Sequence, residues 1–149
     1  MKQYRVGVVG VSRGSSYARI FSKDRRACIT AVCDLEPKNL EKAAQAYGLS
    51  DQQLFTDYDA FIAQDLDIVV VGTPIPFHAK QVVKAIEAGK HVLSEVTAAD
   101  SLEGCRLIYD AVKASKCKYM LAENYIFLDY IQQWKKYVDR GLLGRIHYA

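Results

Sequence analysis

Proline is scarce in this chain of 149 residues, with only three, which leaves no room for a proline-rich linker or a polyproline recognition repeat. Its four cysteines, Cys28, Cys33, Cys105 and Cys117, contain no C-x-x-C pair. The spacing therefore predicts buried, reduced thiols in place of a disulfide framework or a zinc site, and no metal centre is expected. No apolar run approaches membrane-spanning length. Runs of one charge are missing as well: the net charge is +3, with Lys and Arg scattered among the acids. Neither nucleic acid nor a membrane is an expected partner. There is no basic and apolar leader before the first strand, so the expected location is cytoplasmic. Short repeats and low-complexity stretches are also absent.

What remains is an ordinary globular composition, half apolar and a quarter charged, long enough for one real core. The chain is organised around the stretch from Tyr4 to Gly14. An apolar run turns through Gly10 and Gly14 and passes into the amphipathic segment Ser15 to Phe21. A buried strand, tight turn and helix start would aim backbone N–H groups and the positive end of the helix dipole at one point, as a pyrophosphate requires. Asp34 stands at the end of the next apolar run, Cys28 to Cys33, where a dinucleotide fold keeps a carboxylate for the ribose hydroxyls. Ser12 falls where the full G-x-G-x-x-G fingerprint has its second glycine, which implies a looser approach to phosphate or a hydroxyl contact. A glycine turn serving only a strand-helix corner is the bland alternative.

Further along, Ala27 to Cys33 reads as a second strand, and Pro37 opens a helix that Gly48 closes. Thr56 and Asp59 look like a capping pair for a short helix holding Phe61 and Ile62. Ile68 to Val71 is a β-branched run without polar alternation, the mark of a strand covered on both faces in a parallel sheet. The loop from Gly72 leads into a helix with Ala79, Val82, Val83 and Ile86 on one face. His91 to Ser94 gives another strand. A helix starting near Asp100, with Glu103 as capping partner, should turn Leu102, Cys105, Ile108 and Val112 inward. Tyr119 to Ala122 reads as the sixth strand. This alternation predicts an α/β fold, a Rossmann-type doubly wound parallel sheet. A helix with Tyr130, Trp134, Tyr137 and Val138 follows, then Gly144 to Ala149 reads as the beginning of a strand. The expected organisation is a dinucleotide-binding domain over 1–123, then a linker helix and the start of a truncated second domain over 124–149.

Several stretches together resemble the N-terminal domain of the Gfo/Idh/MocA oxidoreductase family. They are Val-Gly-Val-Val-Gly at the start, Thr73-Pro74 with Phe77-His78-Ala79, and Glu87 to Glu95, which reads Glu-Ala-Gly-Lys-His-Val-Leu-Ser-Glu. Ala122-Glu123-Asn124-Tyr125 and Gly141-Leu-Leu-Gly-Arg-Ile146 extend the likeness nearly end to end. The resemblance implies NAD(P)-dependent hydride transfer on a sugar, polyol or related small molecule. It also implies a C-terminal α/β domain, absent here, that supplies substrate residues and usually an oligomer interface. One departure stands out. Members commonly carry Glu-Lys-Pro where this chain has Glu95-Val96-Thr97, and that lysine assists proton transfer. A Glu-Val-Pro branch includes NAD-dependent glycosidases that act through transient oxidation and elimination, and this chain is similar to it.

The expected cofactor residues are Gly10, Ser12, Arg13 and Gly14 around the diphosphate, with Arg13 either reaching a phosphate or lying in solvent. Asp34 is expected on the adenosine ribose, or else as a helix cap. Thr73 and Pro74 border the adenine end, and His78 is either a ligand contact or a helix-start residue. The resemblance adds Glu95 and Asn124 near the nicotinamide or its ribose. Because a carboxylate at Asp34 repels a 2′-phosphate, NAD is expected ahead of NADP. Tyr125 and His78 are the candidates for acid-base work, with no catalytic residue assigned. A nucleotide-binding module without turnover is the competing reading.

Overall fold

The computed structural model describes residues 3–148. Strands β1 (Tyr4–Val9), β2 (Ala27–Cys33), β3 (Leu54–Phe55), β4 (Ile68–Val71), β5 (His91–Ser94) and β6 (Tyr119–Leu121) form one sheet in the order β3-β2-β1-β4-β5-β6. Every pairing is parallel. The order reverses beside β1, so connections on either side of it leave in opposite directions and open a crevice at the carboxyl ends of the strands.

The helices are α1 (Val11–Phe21), α2 (Pro37–Tyr47), α3 (Tyr58–Ile62), α4 (His78–Glu87), α5 (Leu102–Ala114) and α6 (Asp129–Asp139). One apolar cluster joins Val6, Val8, Val32 and Val70 to Ala18 of α1 and Leu40 and Ala43 of α2. The opposite face of the sheet packs Val9, Val69, Val71 and Val92 against Phe61 of α3, Val82 and Ile86 of α4, and Ile108 of α5. The β-branched runs are thus covered on both sides, as an all-parallel sheet requires. Phe61 is fully buried and meets Phe55 edge-on at 6.1 Å between ring centroids.

Several local expectations need correction. Helix α1 starts at Val11, four residues before Ser15, so Gly14 lies inside it. The α3 cap is Asp57, whose side chain accepts from the Ala60 amide, and not Thr56 with Asp59. The α5 cap is Ser101, accepting from Gly104, in place of Asp100 with Glu103. Leu102 and Cys105 of α5 point outward, because Gly104 makes the close contact: a Cβ there would come within 2.8 Å of the Ala99 Cβ and 3.2 Å of the Ala79 Cβ. That approach rotates the buried stripe onto Gly104 and Ile108. All four cysteines are free, but only Cys33 is buried and Cys105 is exposed. Residues 145–148 form no strand, since no neighbouring strand is in place to pair with them. No helix among the described residues is long and apolar enough to cross a membrane.

Candidate functional site: a cleft at the switch point

The crevice beside β1 is a cleft of about 700 Å³, and its floor is made by the ends of β1 and β4. Gly10 leaves β1 with φ 74°, donates its amide to the Cys33 carbonyl at 2.9 Å, and accepts from the Gly14 amide at 2.8 Å. A Cβ on Gly10 would overlap the Gly72 carbonyl and the Thr73 nitrogen at 2.5 Å. Any side chain here would have to displace backbone, besides facing the unfavourable positive φ. Gly72 is similarly confined, with a built Cβ 2.7 Å from the Gly14 nitrogen. The glycines bring the β4 end against the first turn of α1.

That first turn carries no acidic residue and no side-chain cap. Its Val11 amide donates to Asp34 Oδ2 at 2.7 Å, while no carbonyl or side chain among the described residues accepts from the Ser12 and Arg13 amides. Two uncommitted N–H groups at the positive end of a helix, over a floor that excludes side chains, fit a diphosphate. Gly14 is buried and its amide is bonded within the helix. Its part is to let α1 approach β1, where a Cβ would meet Val8 Cγ1 at 2.6 Å; it offers no donor to the cleft.

Asp34 follows β2 and lines the cleft. Besides the Val11 amide it accepts from the Glu36 amide at 2.9 Å and from Asn39 Nδ2 at 3.2 Å, both at Oδ1. The cap of α2 is Glu36, which accepts from Lys38, so the capping alternative for Asp34 does not hold. Thr73 and Pro74 line the same cleft after β4, and the Thr73 hydroxyl donates to Gln81 Oε1 at 2.6 Å.

Arg13 is not a free cation. Its Nε donates to Glu95 Oε1 at 2.5 Å, spanning the mouth of the cleft from α1 to the end of β5. The Glu95 side chain is only 5 % exposed, against 69 % for Arg13. Burial pushes the Glu95 carboxyl up, but hydrogen bonds from Arg13, the Val96 amide and Tyr17 outweigh it and hold the group below its ordinary value. Conversely, the hydrogen bond to Glu95 raises the Arg13 guanidinium.

The two candidates for acid-base chemistry lie in opposite surroundings, one buried and one exposed. His78 is 1 % exposed, with Nδ1 2.7 Å from the Thr97 carbonyl and Nε2 2.7 Å from the Thr73 carbonyl. Both ring nitrogens lie at hydrogen-bond distance from backbone carbonyls, which braces the loop after β4 against the loop after β5. Tyr125 is 64 % exposed and, like Asn124, lies outside the cleft lining. Sequence reasoning missed Asn39, Asp57, Tyr58, Phe77 and Gln81, which also line the cleft. Only the topology brings those helix starts to one place; Asn39 alone carried a local clue, five residues beyond Asp34 on the first turn of α2. Among the described residues, no group of three or more metal-ligating side chains could hold an ion.

The strand order, the switch-point cleft and the open helix terminus define a dinucleotide-binding Rossmann domain. The family model described as "Oxidoreductase family, NAD-binding Rossmann fold" matches residues 4–123, and the chain belongs to this Gfo/Idh/MocA family. Among relatives, a glycosyl hydrolase family 109 protein from Shewanella sp. (strain ANA-3) is 32% identical over 98% of this chain and 34% of its own length. The levoglucosan dehydrogenase of Pseudarthrobacter phenanthrenivorans is 32% identical over 77% of this chain and 29% of its own. The crystal structure of scyllo-inositol dehydrogenase from Lactobacillus casei, with bound NAD(H) and scyllo-inositol, superposes with a TM-score of 0.83. It has 29% identity over 97% of this chain and 43% of the other. The chain spans about a third of the curated relatives' length.

Proposed function

We propose that this domain holds NAD, in preference to NADP, as the cofactor half of an oxidoreductase acting on a sugar, polyol or related small molecule. The observation that carries the reading is Asp34, fixed by the Val11 amide at 2.7 Å beside the open amides of Ser12 and Arg13. In this reading those two amides face the diphosphate and the Asp34 carboxylate accepts from the adenosine ribose. A 2′-phosphate there would meet like charge. Thr73 and Pro74 border the adenosine end, and Glu95 stands toward the nicotinamide end, its charge kept by Arg13. NAD, when bound, supplies a hydride acceptor. Residues 124–149 act as a linker and the start of a second domain that supplies substrate contacts and an oligomer interface. The relatives' printed names, levoglucosan dehydrogenase and scyllo-inositol dehydrogenase, support a carbohydrate-like substrate.

A specific feature favours a second outcome of the same hydride chemistry. Val96 lines the cleft and can neither donate nor accept a proton, and a glycosyl hydrolase family 109 protein is among the relatives. A redox-assisted glycosidase or lyase in the whole protein is consistent with both. Assaying the intact protein on polyols and on aryl glycosides separates net oxidation from hydrolysis.

Calorimetric titration with NAD, NADH and NADPH tests cofactor binding itself. Saturable heat with NAD and NADH, and weaker binding of NADPH, is expected. No saturation at millimolar ligand would remove the reading. In the double variant Asp34→Ser, Leu35→Arg, relief of like-charge repulsion should move the NAD-to-NADP affinity ratio by about tenfold or more toward NADP; an unchanged ratio would remove Asp34 from the ribose role.

A further inference from the structure

The cleft carries more acid than base. Asp34, Asp57 and Glu95 line it, and Arg13 is the one cation among its described lining residues. The Arg13–Glu95 pair does not cancel for a group inside the cleft, because its two members meet water unequally. The Arg13 side chain is 69 % exposed and that of Glu95 5 %, so solvent and salt damp the guanidinium far more than the carboxylate. A ligand beside the end of β5 therefore feels a net negative charge.

That charge is held in a fixed place. Oε1 of Glu95 accepts from Arg13 Nε at 2.5 Å and Oε2 from the Val96 amide at 2.9 Å, while the Glu95 amide donates to the Val71 carbonyl at 2.9 Å and ties the residue to β4. Val96, the next residue in the lining, brings no second cation to neutralise it.

A dinucleotide crosses the switch point from one mononucleotide-binding half of the sheet to the other. Asp34 follows β2 in the first half and Glu95 follows β5 in the second. With the adenosine at Asp34, the nicotinamide riboside lies on the Glu95 side. The two redox forms differ there by one positive charge: the ring of NAD is cationic and that of NADH is neutral. A buried anion on that side interacts unequally with the two, and a ligand preference is such a difference.

We propose that Glu95 sets the preference between oxidised and reduced cofactor, its buried carboxylate favouring the cationic ring of NAD over the neutral ring of NADH, with Arg13 as the positioning residue that holds the carboxylate from the solvent side. The proposal rests on the NAD reading above. It concerns the charge of the cofactor and not its ribose phosphate.

Calorimetric dissociation constants for NAD, NADH and ADP-ribose, taken near neutral pH on wild type, Glu95→Gln and Glu95→Asp, provide the test. ADP-ribose lacks the nicotinamide and reports on the rest of the cleft. Glutamine keeps the size of the side chain and removes its charge, so the ratio of NAD to NADH affinity should fall by about tenfold, with ADP-ribose binding within about twofold of wild type. Aspartate keeps the charge on a shorter stem and should hold the ratio within about threefold of wild type. Melting curves check that both variants fold. A merely structural role for Glu95 would weaken NAD and NADH in parallel, and that unchanged ratio would overturn the proposal while leaving NAD binding intact. An aspartate variant whose ratio falls as far as that of glutamine would overturn it too, since charge would then not decide the preference. Wild type that binds neither NAD nor ADP-ribose would instead overturn the functional reading together with this one.

Discussion

The sheet and its cleft differ from the segment 124–148 in how completely each is satisfied by this chain. Val6, Val8, Val70 and Val82 are at 0% exposure, and the cleft floor admits not even a methyl group at Gly10. No residue of the single turn Tyr125–Phe127 or of α6 is buried. Tyr125, Phe127, Tyr130 and Trp134 are all at least half exposed, although Tyr130 and Trp134 meet edge-on at 5.2 Å between centroids. The sheet's two faces are covered by this chain's own helices, whereas the aromatic face joins neither buried cluster. Contiguous exposed apolar surface of this kind marks a contact surface.

The sharpest way to break this contrast is to delete one large ring from each region. Phe61→Ala should cost about 3–5 kcal/mol, as for other fully buried aromatics, whereas Trp134→Ala should stay within about 0.5 kcal/mol as an exposed substitution. Urea unfolding of the two variants makes the comparison, and a loss at Trp134 equal to that at Phe61 would show that α6 belongs to the core. Next in size is Gly10→Ala. Positive φ and backbone overlap together should destabilise by about 1–3 kcal/mol and weaken NAD binding more than any change in α6, by calorimetry.

The smallest effect expected is a pH dependence confined to the cleft mouth. The folded Glu95 carboxyl titrates below its ordinary value of 4.5. Its ionised form therefore contributes stability above the unfolded value, and that contribution is lost as pH falls through the lowered folded one. Without Arg13, the buried carboxylate loses its charge partner. Melting temperatures of wild type and Arg13→Gln should differ most near neutral pH and converge as acidification passes the lowered Glu95 value. A gap independent of pH would mean that Arg13 acts by packing alone.

The same contrast explains what was legible in the sequence. Strands were legible because a parallel sheet covered on both faces demands uninterrupted β-branched runs, and Ile68 to Val71 meets that demand without help from other segments. Gly10 and Asp34 were legible because the turn and the carboxylate belong to adjacent elements at a regular separation. Helix phase was less so. Hydrophobic spacing put Leu102 and Cys105 of α5 inward, but the close approach of Ala79 and Ala99 to Gly104 decides the contact, and a residue without a side chain carries no weight in such a pattern. The pairing of Arg13 with Glu95, the contact of His78 with the Thr97 carbonyl and the arrival of Gln81 in one cleft with Asp34 each join residues from different βα units. Only the strand order fixes them.

The central claim is that the first turn of α1 and the Asp34 carboxylate receive NAD. Amide-resolved nuclear magnetic resonance during an NAD titration tests it most directly. The account predicts the largest saturable shifts at the Gly10, Ser12 and Arg13 amides, accompanied by Asp34 and Leu35, with the groove between α4 and α5, lined by Lys80, Val83, Glu103 and Leu107, unmoved. Shifts concentrated in that groove or on α6, with the α1 turn silent at saturation, would contradict it.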